Sequence, residues 1–271
     1  FNIPTQRLAK VTVTEATETV TLSVNPIVVA ALSFTPRHLV IRWSARSNEA
    51  VSVERGVSLR LNGDTGANYY DQRLDGAASS ATSAATTGVT SIANIGVDTG
   101  DDAPANGWSS GFFLIPDALS TRSHKSVIGV SGAIEQRVRI GTARWANTAA
   151  ITSISLSQDG SGGFLAGSIV ELCVVDESYN INEQILGSAG VLTVSSIAAD
   201  IGDLVQIGNL KSTQAAISDE YKIKFNTDAT ATNYNRQYIR GIGAAVVSQT
   251  ASNSDFGVVT GTHADVPTSA F

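Results

Sequence analysis

Apolar and polar side chains alternate along much of the chain. In residues 10–24, KVTVTEATETVTLSV, valine and leucine alternate with threonine and glutamate, which is the two-residue period of a half-buried strand. Residues 38–46, 57–61 and 151–157 repeat this pattern, and IVELCVV at 169–175 is apolar enough for a central strand. No long segment has the 3.6-residue period of a helix, and at most a short helix is expected at 181–186. The pattern predicts an all-β protein.

Turn-forming clusters separate the predicted strands. They are NGDTG at 62–66, DTGDDAPANG at 98–107 and QDGSGG at 158–163, where Gly and Asn adopt positive φ at low cost. Asn62-Gly63 is a strong hairpin signal, so we expect a hairpin between residues 59–61 and 69–74. The small, polar residues 76–91 predict an exposed loop, more in keeping with a flexible tether than with a binding loop.

The chain contains an imperfect internal repeat. Residues 59–76 align with 223–241, with one extra residue in the second copy, and residues 39–47 align with 204–212, at an offset of about 165 residues. The matched positions include Asn62 with Asn226, Asp64 with Asp228, and Gly76 with Gly241. We therefore predict one β-module at 1–178, with its core at 34–175. Residues 179–271 are predicted to be a linker and a partial second copy.

The second copy has no counterpart to the last strands of the first. Half a sandwich leaves an open edge and an uncovered apolar face. We therefore expect either more chain beyond Phe271 or a second chain that completes the fold. The chain begins at Phe1 and contains no methionine, which predicts a processed chain or a segment of a longer one.

Composition excludes several classes of partner. The net charge is −6 at pH 7, so most of the surface repels a phosphate backbone and nucleic-acid binding is not expected. The apolar run at 27–32 is too short to cross a bilayer, so no membrane partner is expected either. The single cysteine, Cys173, cannot form an internal disulfide and is expected to be a buried apolar residue.

Two Asp-Thr-Gly tripeptides raise the possibility of an aspartic protease. Such an enzyme needs two aspartates that share a proton, and in two-lobed proteases they lie one lobe apart in sequence. Asp64 and Asp98 lie close together in sequence, and the repeat around Asp228 lacks the glycine. We interpret both tripeptides as turns, and we predict no catalytic residue and no cofactor.

Few residues remain as candidates for binding. Asp98, Asp101 and Asp102 form an acidic loop that is a weak calcium candidate, with a solvated turn as the favoured interpretation. Trp43 and Trp145 are expected in the core. Trp108 lies in a loop, and with Tyr69 and Tyr70 it is a candidate for contact with a partner or a glycan.

The order of several segments resembles a recurring module of tailed-bacteriophage virion structural proteins. The segments are LVIRWSARS, SLRLNGDTGANY, FFLIPDA, GTARWANTAAITSISL and FLAGSIVEL. The resemblance covers residues 34–175, and weakly 204–241. It departs from the pattern at the last strand, which ends in Leu-Cys-Val-Val. The resemblance implies a non-enzymatic, jelly-roll-like antiparallel β-sandwich in a virus particle.

The resulting functional hypothesis is a structural protein on the outer surface of a tailed-phage virion. A capsid decoration or cement protein is the leading role, with other virion proteins as partners and a homo-oligomer as the expected state. The alternative is a tail fibre or a tail-tip adhesin that binds host surface glycans.

Overall fold

A computed structural model describes most of the first 176 residues and separate segments of the remainder. The described residues are 5–49, 54–77, 80–93, 95–133, 136–160, 162–176, 193–195, 207, 209–210, 218–222, 224, 230, 236–242, 245–251, 255–260 and 269–270. The short helix expected at 181–186 lies outside this set.

Strands make up most of the described chain. The first twelve are β1 (Thr5–Thr12), β2 (Thr19–Ser23), β3 (Leu39–Ala45), β4 (Glu54–Leu61), β5 (Tyr69–Ala77), β6 (Ser80–Val89), β7 (Val97–Thr99), β8 (Ser109–Ile115), β9 (Lys125–Ala133), β10 (Arg137–Trp145), β11 (Ser153–Gln158) and β12 (Ile169–Val175). The later strands are β13 (Asn209–Leu210), β14 (Ser218–Lys222), β15 (Arg236–Ile242), β16 (Ala245–Ala251), β17 (Asp255–Thr260) and β18 (Ser269–Ala270). A single turn of helix, α1 (Pro26–Ala30), follows β2. Among the described residues, no helix has the length and apolar character needed to span a membrane.

The first twelve strands form two antiparallel sheets of unequal width. The larger sheet has eight strands in the order β1-β12-β3-β8-β9-β10-β5-β6, and the smaller has four in the order β2-β11-β4-β7. Four pairs are nested in sequence, namely β1 with β12, β2 with β11, β3 with β8, and β4 with β7. The all-β, antiparallel prediction is confirmed, and IVELCVV is an inner strand between β1 and β3.

One hydrophobic core joins the two sheets in a sandwich-like arrangement. The smaller sheet contributes Val20, Leu22, Val57, Leu59, Leu61, Ile154 and Leu156 to this core. The larger sheet contributes Leu39, Ile41, Trp43, Tyr69, Phe113, Ile115, Val127, Trp145, Val170, Leu172 and Val174. The alternation in the sequence therefore places these side chains between the sheets. Trp43 and Trp145 are buried, as expected.

The prediction of an exposed loop at 76–91 is wrong, because most of this segment is strand β6. This strand pairs with β5 from Tyr69↔Val89 to Ala77↔Ser80. Alanine and serine bury little apolar area, but a strand at the edge of a sheet is held by backbone hydrogen bonds that any residue except proline can make. Side-chain burial alone was therefore a poor guide to this segment.

The expected hairpin around Asn62-Gly63 is half correct. Both residues have positive φ, at 52° and 64°, and the Asp64 amide donates to the Leu61 carbonyl at 3.0 Å, so the tight turn exists. The strands on either side do not pair with each other. β4 pairs with β11 and β7 in the smaller sheet, whereas β5 pairs with β10 and β6 in the larger sheet. The turn connects the two sheets.

Asn62 ties this turn to the segment before β11. Its Oδ1 accepts hydrogen bonds from the amides of Thr152 at 2.7 Å and Ser153 at 3.1 Å, and its Nδ2 donates to the Ala150 carbonyl at 2.8 Å. One amide side chain thus satisfies three backbone groups at the start of β11.

We predict that Asn62→Ala lowers the free energy of unfolding by about 1–3 kcal/mol, because it leaves those backbone groups unpaired. A urea titration should show a lower midpoint at an unchanged slope. Thr65→Ala is the control on the same turn, and since Thr65 is exposed it should change stability by less than about 0.5 kcal/mol. Equal midpoints for the two variants would show that Asn62 does not hold the turn.

Candidate interaction surface

In the N-terminal half of strand β10, a charged side chain points inward and apolar side chains point outward, which is the reverse of the usual arrangement in a sandwich. Trp145, at its other end, points into the core and is 1 % exposed. With the two-residue period, Arg139 lies on the same inward face, where it is 5 % exposed. Val138 and Ile140 then point outward and are 59 % and 50 % exposed. The apolar side chains of this half-strand face away from the core.

Ile140 lies in a row of apolar side chains that crosses four strands. It is opposite Leu74 of β5 and Val130 of β9, and Val130 is opposite Phe112 of β8. These four residues and Val138 are called the apolar strip below. Val138 is opposite Gly76 and Gly132, and because glycine has no side chain, Val138 remains uncovered.

The row continues into charged residues on β3, β12 and β1. Phe112 is opposite Arg42, Arg42 opposite Glu171, and Glu171 opposite Lys10. Nε of Arg42 lies 2.7 Å from the Glu171 carboxylate, and Nη1 of Arg7 lies 3.1 Å from it. Burial raises the pKa of Glu171, but the hydrogen bonds from Arg42 and Arg7 lower it overall. A groove of about 550 Å³ follows this part of the sheet, lined by residues that include Lys10, Arg42, Phe112 and Glu171.

A second, smaller apolar cluster lies beside the strip on the outward side. It contains Val40, Leu114, Val175 and Cys173, which is fully buried as predicted, and Ile207 packs against it. Burial raises the pKa of the Cys173 thiol, so the thiol is the favoured form. Residues of the second part of the chain therefore contact this cluster, whereas Val138 and Ile140 remain exposed.

On the inward face, charged pairs take the place of a core. Asp75 is 1 % exposed and lies 2.6 Å from Nε of Arg139, 2.8 Å from Arg73 and 3.3 Å from Arg137. Arg139 also donates to the Gly96 carbonyl at 2.9 Å. Arg137 reaches Glu54 of β4 at 2.7 Å and so links the two sheets. A buried charge is tolerated only when it is paired and hydrogen-bonded, and each of these is paired.

Two other partly or fully buried aspartates have structural partners. Asp64 accepts hydrogen bonds from Nε1 of Trp145 at 2.7 Å and from Nδ2 of Asn68 at 2.9 Å, and these two bonds, led by the one from Trp145, lower the pKa of Asp64. Burial raises the pKa of Asp117, but ion pairs with Arg37 and Arg122 lower it overall. Each of these carboxylates therefore holds neighbouring side chains in place.

Asp98 differs from these two aspartates because burial has the largest effect on its pKa. It is fully buried, its Oδ2 accepts a short hydrogen bond from Nε2 of Gln158, and its Oδ1 has no hydrogen-bond partner among the described residues. Burial, with the nearby Asp159, raises the pKa of Asp98 well above its ordinary value despite the bond from Gln158. Asp98 therefore stays neutral to a higher pH in the folded protein than in the unfolded chain.

This pKa has a consequence for stability. Because the folded pKa lies above the unfolded one, the contribution of Asp98 is fully present below the unfolded pKa, about 3.9, and is lost as the pH rises towards the folded pKa. We predict that Asp98→Asn unfolds at a higher urea concentration than the parent at pH 7, and that this difference disappears near pH 3.5. A difference that shrinks as the pH rises would mean that Asp98 is ionised in the fold.

The aromatic candidates do not form one site. Tyr69 is fully buried, its hydroxyl bonds to the Leu61 amide at 3.1 Å, and its ring stacks on Trp145 at 6.4 Å, so its proposed role as a surface contact is wrong. Tyr70 lies on the outward face, with Arg144 3.8 Å above its ring. Trp108 is 37 % exposed and packs beside Gly167.

Tyr70 and Trp108 lie towards opposite ends of the larger sheet. Tyr70 is opposite Arg144, which is opposite Ser126 at the start of β9, whereas Ser110, just after Trp108, is opposite Gly132 at the end of β9. Six residues along a strand correspond to about 20 Å. The two rings therefore cannot stack on the same sugar.

The backbone of the acidic loop is held by a buried arginine. The Arg46 guanidinium is buried and donates to the carbonyls of Asp101, Ala103, Pro104 and Gly107 at 2.8–3.0 Å. Asp98 points into the interior, whereas Asp101 and Asp102 are exposed. The structure does not bring the three aspartates of the calcium candidate together, and the described residues contain no group of three or more His, Cys, Asp or Glu that could hold a metal.

The sequence contains one signal for the apolar strip. Val138 and Ile140 occupy even positions, whereas Trp145, whose burial is expected, and Ala143 occupy odd positions of the same strand. A strand cannot place both sets in one core. This conflict of phase marked Val138 and Ile140 as outward apolar residues.

Comparison of the chain with family models, with curated proteins and with solved structures found no match.

Proposed function

We propose that the chain is a non-enzymatic structural protein on the outer surface of a tailed-phage virion, where it serves as a capsid decoration or cement protein. The observation that carries this proposal is the apolar strip. Val138 is 59 % exposed and Ile140 is 50 % exposed. Both lie in the strip with Leu74, Val130 and Phe112. An apolar patch of this kind on a folded domain is the usual mark of a protein–protein contact.

The charged groups support a structural role rather than a catalytic one. The buried Asp75 is held by arginines on its own and the neighbouring strand, and Asp64 is held by Trp145 and Asn68. A catalytic pair needs two titratable groups that converge on an accessible point. These carboxylates converge on partners within the fold.

The motifs behind the virion resemblance also act within the fold. Asn62 and Asp64, from the Asn-Gly-Asp-Thr-Gly segment, bind the segment before β11 and Trp145 respectively. Trp145 and the following residues form the other conspicuous segment of the resemblance. The two segments contact each other, so their joint occurrence is consistent with one folding unit, as the resemblance implies.

We further propose that the sandwich is a jelly roll. The nested pairs β1–β12, β2–β11, β3–β8 and β4–β7 correspond to one long hairpin, and wrapping it brings β12 beside β3 and β11 beside β4. In this interpretation β9, β10, β5 and β6 are additions that widen one sheet. Such a widened sheet is what provides the apolar strip.

We also propose that residues 179–271 contain a linker and a partial second copy of the same module. The hairpins β5–β6 and β15–β16 have equivalent registers, since Gly76 is opposite Ala81 and Gly241 is opposite Val246. The pairs β13–β18 and β14–β17 are antiparallel and nested in sequence, as β3–β8 and β4–β7 are. These three equivalent pairings support tandem modules.

A glycan-binding tail-tip adhesin is the second candidate, and Trp108 is the observation that favours it. Its ring is 37 % exposed in the loop held by Arg46, and an exposed ring on an ordered loop can stack on a sugar. A glycan-array signal that is lost in Trp108→Ala would favour this role.

The leading proposal predicts that the apolar strip is needed for attachment to the particle. Particles that lack the chain are incubated with purified protein, sedimented, and analysed for bound chain. The double variant Val138→Asp/Ile140→Asp should bind at least about tenfold more weakly, because two apolar side chains that would be buried become charged. Its melting temperature should change little, since both side chains are exposed.

The matched control places the same charges on the other sheet. Thr19→Asp/Ser23→Asp alters two exposed residues of β2 and should bind the particle like the parent chain. Unaltered binding of the Val138/Ile140 variant would overturn the assignment of the strip. Binding of the parent chain to isolated tails but not to heads would overturn the capsid role.

A further inference from the structure

The groove beside the apolar strip is bordered by strands that carry an excess of positive charge. It is lined by residues of β1, β3, β8 and β12. These four strands contain three cationic side chains, Arg7, Lys10 and Arg42, but only one carboxylate, Glu171. The whole chain, in contrast, has a net charge of −6 at pH 7. The groove is therefore a locally cationic region on an acidic protein.

Two of these cations can bind a further anion. Glu171 is already shared, since Nη1 of Arg7 lies 3.1 Å and Nε of Arg42 lies 2.7 Å from its carboxylate. Lys10 is opposite Glu171 in the strand register, yet it forms no ion pair with any described residue. Arg42 bonds to Glu171 through Nε, and its side chain is 51 % exposed. The Lys10 ammonium and the terminal nitrogens of Arg42 are therefore suited to another carboxylate.

The groove also has an apolar side that joins the strip. Phe112 lines the groove and is a member of the strip, and Val40 and Leu114 line the groove next to it. Ile207, from the second part of the chain, packs against the cluster of Val40 and Leu114 but is not among the residues that line the groove. The groove therefore stays open beside this contact.

We propose that the groove binds an extended segment of another protein that carries both carboxylate and apolar side chains. The carboxylates meet Lys10 and Arg42, and the apolar side chains continue along the strip. The inference names the chemistry of the partner, and it rests on the proposed attachment role for the location of that partner in a particle.

The charge distribution argues against two other occupants. A nucleic acid is anionic, but it would be repelled by the rest of the acidic surface and would leave the strip uncovered. A second copy of this chain, related by a twofold axis through this face, would place the cationic groove against itself, and like charges repel. An acidic segment of a different protein complements both the charge and the strip.

The spacing of the strands sets the spacing of the contacts. One row of mutually opposite residues crosses six neighbouring strands and consists of Lys10, Glu171, Arg42, Phe112, Val130 and Ile140. Neighbouring strands lie about 4.8 Å apart, so Arg42 is about 14 Å and Lys10 about 24 Å from Ile140. An extended chain rises about 3.3 Å per residue, so the first carboxylate lies about four residues from the apolar side chain that meets Ile140.

The experiment titrates the full chain with a synthetic peptide of this design, Ac-Leu-Thr-Val-Thr-Glu-Thr-Glu-NH2, and follows binding by NMR at low salt. The comparison peptide has glutamine in place of both glutamates, which keeps the shape and removes the charge. The glutamate peptide should bind at least about threefold more tightly, because its carboxylates pair with Lys10 and Arg42.

Lys10→Glu should abolish this preference, because it removes the excess of positive charge from the groove. The side chain of Lys10 is exposed, so the substitution should leave the fold intact. The matched control, Arg60→Glu, makes the same change of charge on β4 of the smaller sheet and should keep the preference.

Equal affinity of the two peptides for the parent chain, a result that needs no variant, would overturn the proposal, as would a preference that persists in Lys10→Glu. A dimer of the parent chain that Lys10→Glu dissociates would assign the groove to a second copy and overturn the choice of partner. Preference for the glutamate peptide without binding to the particle would contradict only the attachment role. Particle binding that Val138→Asp/Ile140→Asp weakens and Lys10→Glu leaves unchanged would contradict only the groove proposal.

Discussion

The rest of the structure depends on the unequal width of the two sheets. Eight strands face four. Tyr69 of β5 and Trp145 of β10 reach the core, but the other ends of these two strands carry charged side chains on the inward side. Asp75 and Arg139, 2.6 Å apart and nearly fully buried, occupy that side instead. Arg137 connects the same network to Glu54 on the smaller sheet. In the same half of β10, the apolar residues Val138 and Ile140 face outward.

The connection between the sheets depends on a few polar side chains with several hydrogen bonds each. Asn62 binds three backbone groups at the start of β11, Asp64 binds Trp145, and Arg46 binds four carbonyls of the loop that precedes β8. Loops between packed sheets carry backbone groups that no ladder satisfies, and these side chains satisfy them. Sequence features that suggest active-site chemistry, such as Asp64-Thr65-Gly66, serve this purpose here.

Local pattern was sufficient to predict the all-β class, the inner strand IVELCVV, the turn at Asn62-Gly63 and the burial of Cys173 and Trp145. It was insufficient wherever the outcome depended on which sheet a strand joined. β4 and β5 flank a hairpin-type turn but enter different sheets, and β6 is a strand because β5 offers it a free edge. Tyr69 and Tyr70 illustrate the same limit for the site, since adjacent strand residues face opposite sides and only the register showed that Tyr69 is buried.

The central claim is that the outward face of β10 and its neighbours is a contact surface in an assembled particle. The most direct measurement is a cryo-electron microscopy map of that particle in which this chain and its neighbours can be traced. The account predicts side chains of another virion protein in contact with Val138 and Ile140. A map in which both residues face solvent, while the loop that carries Trp108 forms the attachment, would contradict it.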